Sequence, residues 1–81
     1  STLIYPNPLA SWLYIVIPSS EKSIGDSDIL ITNVLGKVVG TYKYKESTNA
    51  LKLDLSKLSK GTYFVKISNN KETITKKIIK E

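Results

Sequence analysis

The chain has 81 residues, 41 % of them hydrophobic, with 12 basic against 7 acidic side chains and a net charge of +5. One small domain of this length buries only about 60–65 % of its unfolded surface, enough for a thin core and not for a core plus a deep pocket. Cys, His, Met and Arg are absent, which excludes zinc sites of Cys and His, Cys nucleophiles, every Ser-His-Asp arrangement and disulfides.

No run approaches the roughly 18 apolar residues of a membrane helix. The opening Ser1-Thr2-Leu3-Ile4-Tyr5-Pro6 carries no basic-then-apolar leader pattern. Ile, Val and Thr supply 22 of the 81 residues and Ala only two, a balance that favours pleated sheet over helix. Leu3 to Tyr5 reads as a short extended segment. Pro6-Asn7-Pro8 then stiffens the chain, since each Pro fixes its own φ and restricts its predecessor. Trp12 to Ile17 alternates, with Leu13, Ile15 and Ile17 inward, and Pro18 ends it. Ser19 to Ser27 is a polar loop. Asp28 to Thr32 is a strand with Ile29 and Ile31 on one face. Asn33-Val34-Leu35-Gly36 turns the chain, Gly36 suiting a left-handed backbone, and Lys37 to Tyr44 returns as the hairpin partner.

Lys45 to Asn49 is a polar turn, and Ala50 to Leu55 places Leu51, Leu53 and Leu55 inward. Ser56 to Gly61 is too short for a stable helix and reads as a tight turn with Leu58 tucked in. Thr62 to Ser68 turns Tyr63, Val65 and Ile67 inward. Asn69-Asn70-Lys71 is a hairpin turn. Glu72 to Lys80 forms the last strand, with Ile74 and Ile78 on one face and Thr73, Thr75, Lys77 and Ile79 on the other. About seven short strands joined by turns predict an all-β antiparallel sandwich over the whole chain.

The basic balance is lysine alone, spread along the strands, as in Leu51-Lys52-Leu53 and Val65-Lys66-Ile67. Without the bidentate fork of Arg this argues against nucleic acid and for solvated strand faces and blunted edges. Weak attraction to an anionic polysaccharide or lipid head group needs only net charge and stays open. The acids Glu21, Asp26, Asp28, Glu46, Asp54, Glu72 and Glu81 place no two carboxylates on neighbouring inward positions, so a glycosidase pair is not expected. Gly25-Asp26-Ser27-Asp28 has a minimal calcium-like spacing without the distal Glu of a full loop; a polar turn is the simpler reading. Tyr63, just after a turn, is read as a corner whose hydroxyl bonds upstream backbone. Trp12, Tyr42 and Tyr44 could form an aromatic platform for sugars, though packing explains them equally. No catalytic residue, metal or cofactor is expected.

Three pieces carry a resemblance. They are Tyr5-Pro6-Asn7-Pro8, the stretch Leu53-Asp54-Leu55-Ser56-Lys57-Leu58-Ser59-Lys60-Gly61-Thr62-Tyr63-Phe64-Val65-Lys66-Ile67, and Thr75-Lys76-Lys77-Ile78-Ile79-Lys80. Ile29 to Val39 fits between them as a central hairpin. In this order they resemble the type A C-terminal sorting domain of type IX secretion substrates in Bacteroidota, over nearly the whole chain.

The resemblance implies an immunoglobulin-like antiparallel β-sandwich, without catalysis, that follows a larger exported cargo. It implies recognition in the periplasm by the outer-membrane type IX translocon, including a β-barrel shuttle protein. A sortase-like cysteine peptidase would then cut upstream, and the cargo would be released or joined to anionic lipopolysaccharide at the cell surface. By position, Pro6, Asn7 and Pro8 match the opening motif, Gly61 and Tyr63 the central motif, and Lys76, Lys77, Ile78, Ile79 and Lys80 the terminal motif read by the machinery. Removal of Ile78 to Glu81 is expected to abolish export while leaving much of the fold. Two rivals share the same sandwich: a cell-surface carbohydrate-binding or adhesin module, and an accessory domain that stabilises a neighbouring enzyme.

Overall fold

The structure, a computed structural model, describes residues 2–21 and 26–81. Lys22 and Gly25, part of the expected polar loop and of its calcium-like spacing, lie outside the described residues. Seven strands follow in order: β1 (Leu3–Tyr5), β2 (Trp12–Val16), β3 (Ser27–Asn33), β4 (Val38–Tyr44), β5 (Leu51–Asp54), β6 (Gly61–Ser68) and β7 (Thr73–Lys80). A single 3₁₀ turn, Ser19–Glu21, follows Pro18.

The strands form two antiparallel sheets, one ordered β1-β2-β5 and the other β4-β3-β6-β7. This is the immunoglobulin-type division of seven strands, with the fourth moved from the first sheet to the edge of the second. The expected sandwich and its strand count are both observed.

Strict alternation decides what lies between the sheets. Leu13, Ile15 and Ile17 from the first sheet face Ile29, Ile31, Tyr63, Val65, Ile67 and Ile78 from the second, with Leu53 and Leu55 completing the core. Leu9, ahead of the second strand, is also fully buried and was not legible from alternation, because it stands alone in a loop. Each fully buried Leu or Ile contributes about 1.5–3 kcal/mol.

Local chemistry fixes the turns. At the β3–β4 hairpin, Asn33 Oδ1 accepts from the N–H groups of Leu35 (2.9 Å) and Lys37 (3.0 Å). Gly36 there takes φ +84°, a left-handed value that a side chain would disfavour. The register slips between Ile31 and Thr32, a bulge that tightens the twist beside this turn. On β4 the Tyr42 ring lies across Gly40, where an added Cβ would come within 2.9 Å of it.

Two tyrosines bolt loops to the sandwich. Tyr63 Oη donates to Ser59 O at 2.7 Å, the corner expected from its position. Tyr44 makes an equivalent bolt at the other end of the fold: its hydroxyl donates to Asn49 O (2.9 Å) and accepts from the buried Ile17 N–H (3.1 Å).

Candidate functional site

The opening motif is the loop between β1 and β2. Pro6 and Pro8 flank Asn7, and both X–Pro bonds are cis. Held between two residues without N–H donors, Asn7 turns its side-chain amide to β7, donating through Nδ2 to Lys77 O (3.0 Å) and accepting through Oδ1 from Ile79 N–H (3.0 Å). Two residues on, Leu9 N–H donates to Ile79 O and Leu9 O accepts from Glu81 N–H, each at 2.8 Å. An asparagine side chain and one backbone unit thus stand in for a short parallel strand along residues 77–81.

The central motif meets the same segment from the other side. Gly61 pairs with Lys80 and Tyr63 with Ile78 in the β6–β7 ladder. Gly61 has φ +147°, outside the range side-chain-bearing residues favour, and starts β6 in register with the end of β7. All three sequence motifs therefore converge on the last strand. Pro-Asn-Pro was visible in the sequence as a stiff turn; its bond to a strand 70 residues away was not.

The five terminal residues separate by role. Ile78 is fully buried between the sheets, and Lys80 is 9 % exposed, its stem covered while its Nζ donates to Glu81 O at 3.0 Å. Lys76, Lys77 and Ile79 are exposed. In the folded domain the side chains of Lys76, Lys77 and Ile79 face solvent, whereas those of Ile78 and Lys80 serve the packing. Loss of Ile78 to Glu81, expected to abolish export, would therefore also remove contacts of the fold itself. That segment supplies a core side chain, the partner for Gly61 to Tyr63 and the anchor of the opening loop.

Lys76 shares the inward row of Ile74 and Ile78, yet emerges where the sandwich opens between β1 and β7. The cleft there has a volume of about 290 Å³ and is bounded by Thr2, Leu3, Ile4, Asn7, Lys76, Lys77 and Ile78. A lysine on the inward face of an edge strand opposes uncontrolled pairing of that edge. Among the described residues the one ion pair is Lys43–Asp28, 2.7 Å on the outer face of the second sheet. Hydrogen bonding to Asp28, with its charge, holds the Lys43 ammonium above its usual pKa. The Asp54 carboxylate is held below its usual value by hydrogen bonds from Ser56, aided by Lys57 and Lys52.

The proposed aromatic platform is corrected. Trp12 lies on the first sheet, Tyr42 and Tyr44 on the second, and Tyr44 is buried. The exposed aromatic cluster instead joins Tyr5 to Tyr14, stacked at 5.4 Å, with Lys52 Nζ 4.2 Å from the Trp12 ring centroid. Tyr14 pairs with both Tyr5 and Lys52 across adjacent strands, a relation that strand order alone determines.

Of the calcium-like pair, Asp26 Oδ1 accepts from Glu46 N–H at 3.2 Å and Asp28 holds Lys43. Among the described residues there is no group of three or more Asp and Glu that could hold a metal, nor a helix long and apolar enough to cross a membrane.

A search of curated proteins finds no match. The motifs converging on β7 are those by which the chain resembles type IX sorting domains, and the family model described as secretion system C-terminal sorting domain matches residues 3–81, so the chain belongs to that family.

Proposed function

We propose that this domain is a non-catalytic address that directs an upstream cargo across the outer membrane through the type IX system. Residues 1–81 act as one unit, passing through the periplasm and reaching the cell surface or the medium with the cargo. There a sortase-like cysteine peptidase cuts upstream, and the cargo is released or joined to anionic lipopolysaccharide.

The observation that supports this reading is the meeting of the three motifs at one strand. A domain that binds or turns over a ligand gathers its distinctive residues around a pocket. Here Asn7 uses its side-chain amide to fix β7, Gly61 starts the partner strand in register with its end, and Tyr63 pairs with Ile78 while its hydroxyl bolts the loop that leads into that partner strand. What they present is an ordered strand bearing Lys76, Lys77 and Ile79, with the translocon and its shuttle protein as readers.

The test is a fusion of a signal peptide, a fluorescent reporter and this domain in a type IX-competent host. Reporter at the surface or in the medium, and its retention in a strain lacking the translocon, is the expected result. Equal export from both strains refutes the reading.

A further inference from the structure

Resting on that reading, we infer that β7 is read by strand addition: an extended, acidic segment of the partner pairs with the outer edge of Thr73–Lys77 and stops against Asn7. The backbone pattern defines the site. Lys77 O, Ile79 N–H and Ile79 O all point away from β6, toward Asn7 and Leu9. The β6–β7 register runs unbroken from Gly61↔Lys80 to Ser68↔Thr73. With a period of two, the N–H and C=O groups of Thr73 and Thr75 point the same way, as does Lys77 N–H.

Among the described residues no neighbouring strand pairs with these groups, since β7 is the edge of its sheet. The edge is therefore sealed over residues 77–81 and open over 73–77. Five unpaired backbone groups in a row specify an extended chain as their partner, because only a strand matches that spacing. The opening-motif asparagine fixes where the added strand ends.

Charge specifies the rest. Lys76 borders the cleft between β1 and β7, and Lys77 stands on the outer face diagonal to Lys66, with Thr75 opposite Lys66. None of these three lysines has an ion pair among the described residues. A strand laid beside β7 presents its side chains alternately to the cleft and to the outer face, so carboxylates at adjacent positions would meet Lys76 on one side and Lys77 with Lys66 on the other. Lys76 disfavours an apolar strand on the same edge, so one residue supplies both attraction and exclusion.

The test uses the reporter fusion in the type IX-competent host. Thr75→Pro removes one outward N–H and no bond within the domain, a place where an edge strand tolerates proline. Surface reporter should fall at least tenfold, to the level of the translocon-deficient strain, with the melting transition of the domain retained. Thr75→Val keeps the backbone donor and should export normally. Normal export of folded Thr75→Pro overturns the inference, as does equal failure of Thr75→Val. Should Thr75→Pro not fold, the double variant Lys76→Glu/Lys77→Glu decides: loss of export is expected, and normal export overturns the inference. If the unsubstituted fusion itself is not exported, the address reading fails and takes this inference with it; if only the variants behave contrary to expectation, the address reading stands.

Discussion

Replacing Asn7 by Ala measures how firmly the opening loop is tied to the last strand. The substitution removes two hydrogen bonds, to Lys77 O and from Ile79 N–H, both 3.0 Å, and almost no buried apolar surface. A neutral hydrogen bond contributes about 0.5–1.5 kcal/mol net, so the pair is worth about 2 kcal/mol. For a domain of this size each kcal/mol moves the midpoint by roughly 4–8 °C, giving a fall of about 8–16 °C. Amide hydrogen exchange locates the effect. The Ile79 N–H should exchange about 30-fold faster, at 1.4 kcal/mol per factor of ten. The Ile78 N–H, directed at β6, should remain protected, and the Thr75 N–H should be fast in both proteins. A midpoint shift under about 2 °C together with unchanged Ile79 exchange would refute the strand-mimic account of Asn7.

Three further outcomes come from the packing and the charges. Ile78→Ala, at a fully buried position, should cost about 2–5 kcal/mol, and removal of 78–81 should leave no cooperative thermal transition; a truncated domain melting sharply at the intact midpoint contradicts this. Tyr44→Phe strands the buried Ile17 N–H and should cost about 1–3 kcal/mol, more than Tyr63→Phe, which deprives only a carbonyl of its donor; urea denaturation giving the reverse order would show the orphaned donor to be unimportant. Because the fold holds the Asp54 carboxylate below its usual value, it favours the ionised form, so this stabilisation is complete at neutral pH and fades as pH drops below about 4. Asp54→Asn should flatten that part of the acid limb in thermal melts, and an unaltered limb counts against it.

Alternation carried most of the fold. Leu13, Ile15 and Ile17, or Tyr63, Val65 and Ile67, can face only one way once their strands form, so the core could be read residue by residue. The Tyr63 corner was legible because its hydroxyl reaches only four residues upstream. The Tyr44 bolt was hidden because one of its partners, Ile17, lies 27 positions away, and Leu9 because a lone apolar loop residue has no period. The aromatic grouping failed for a related reason. Trp12, Tyr42 and Tyr44 were joined by residue type, while the sheets separate Trp12 from the other two and the ladder instead stacks Tyr5 on Tyr14 and lays Lys52 over Trp12. At the last strand the two-residue period gave the inward placement of Ile74 and Ile78 correctly. It could not tell which inward lysine is covered, since that depends on where the sandwich closes, at Lys80, and where it gapes, at Lys76.

The tie between Asn7 and the final strand spans 70 to 72 positions of sequence, nearly the full length of the chain. A polypeptide delivered amino end first cannot make that contact until almost everything between has arrived. Throughout delivery its early segment stays without its mate and the sandwich without one edge. Acquisition of the finished shape thus doubles as a receipt for the arrival of residues 77–81: a chain stalled or severed before them never assembles this edge.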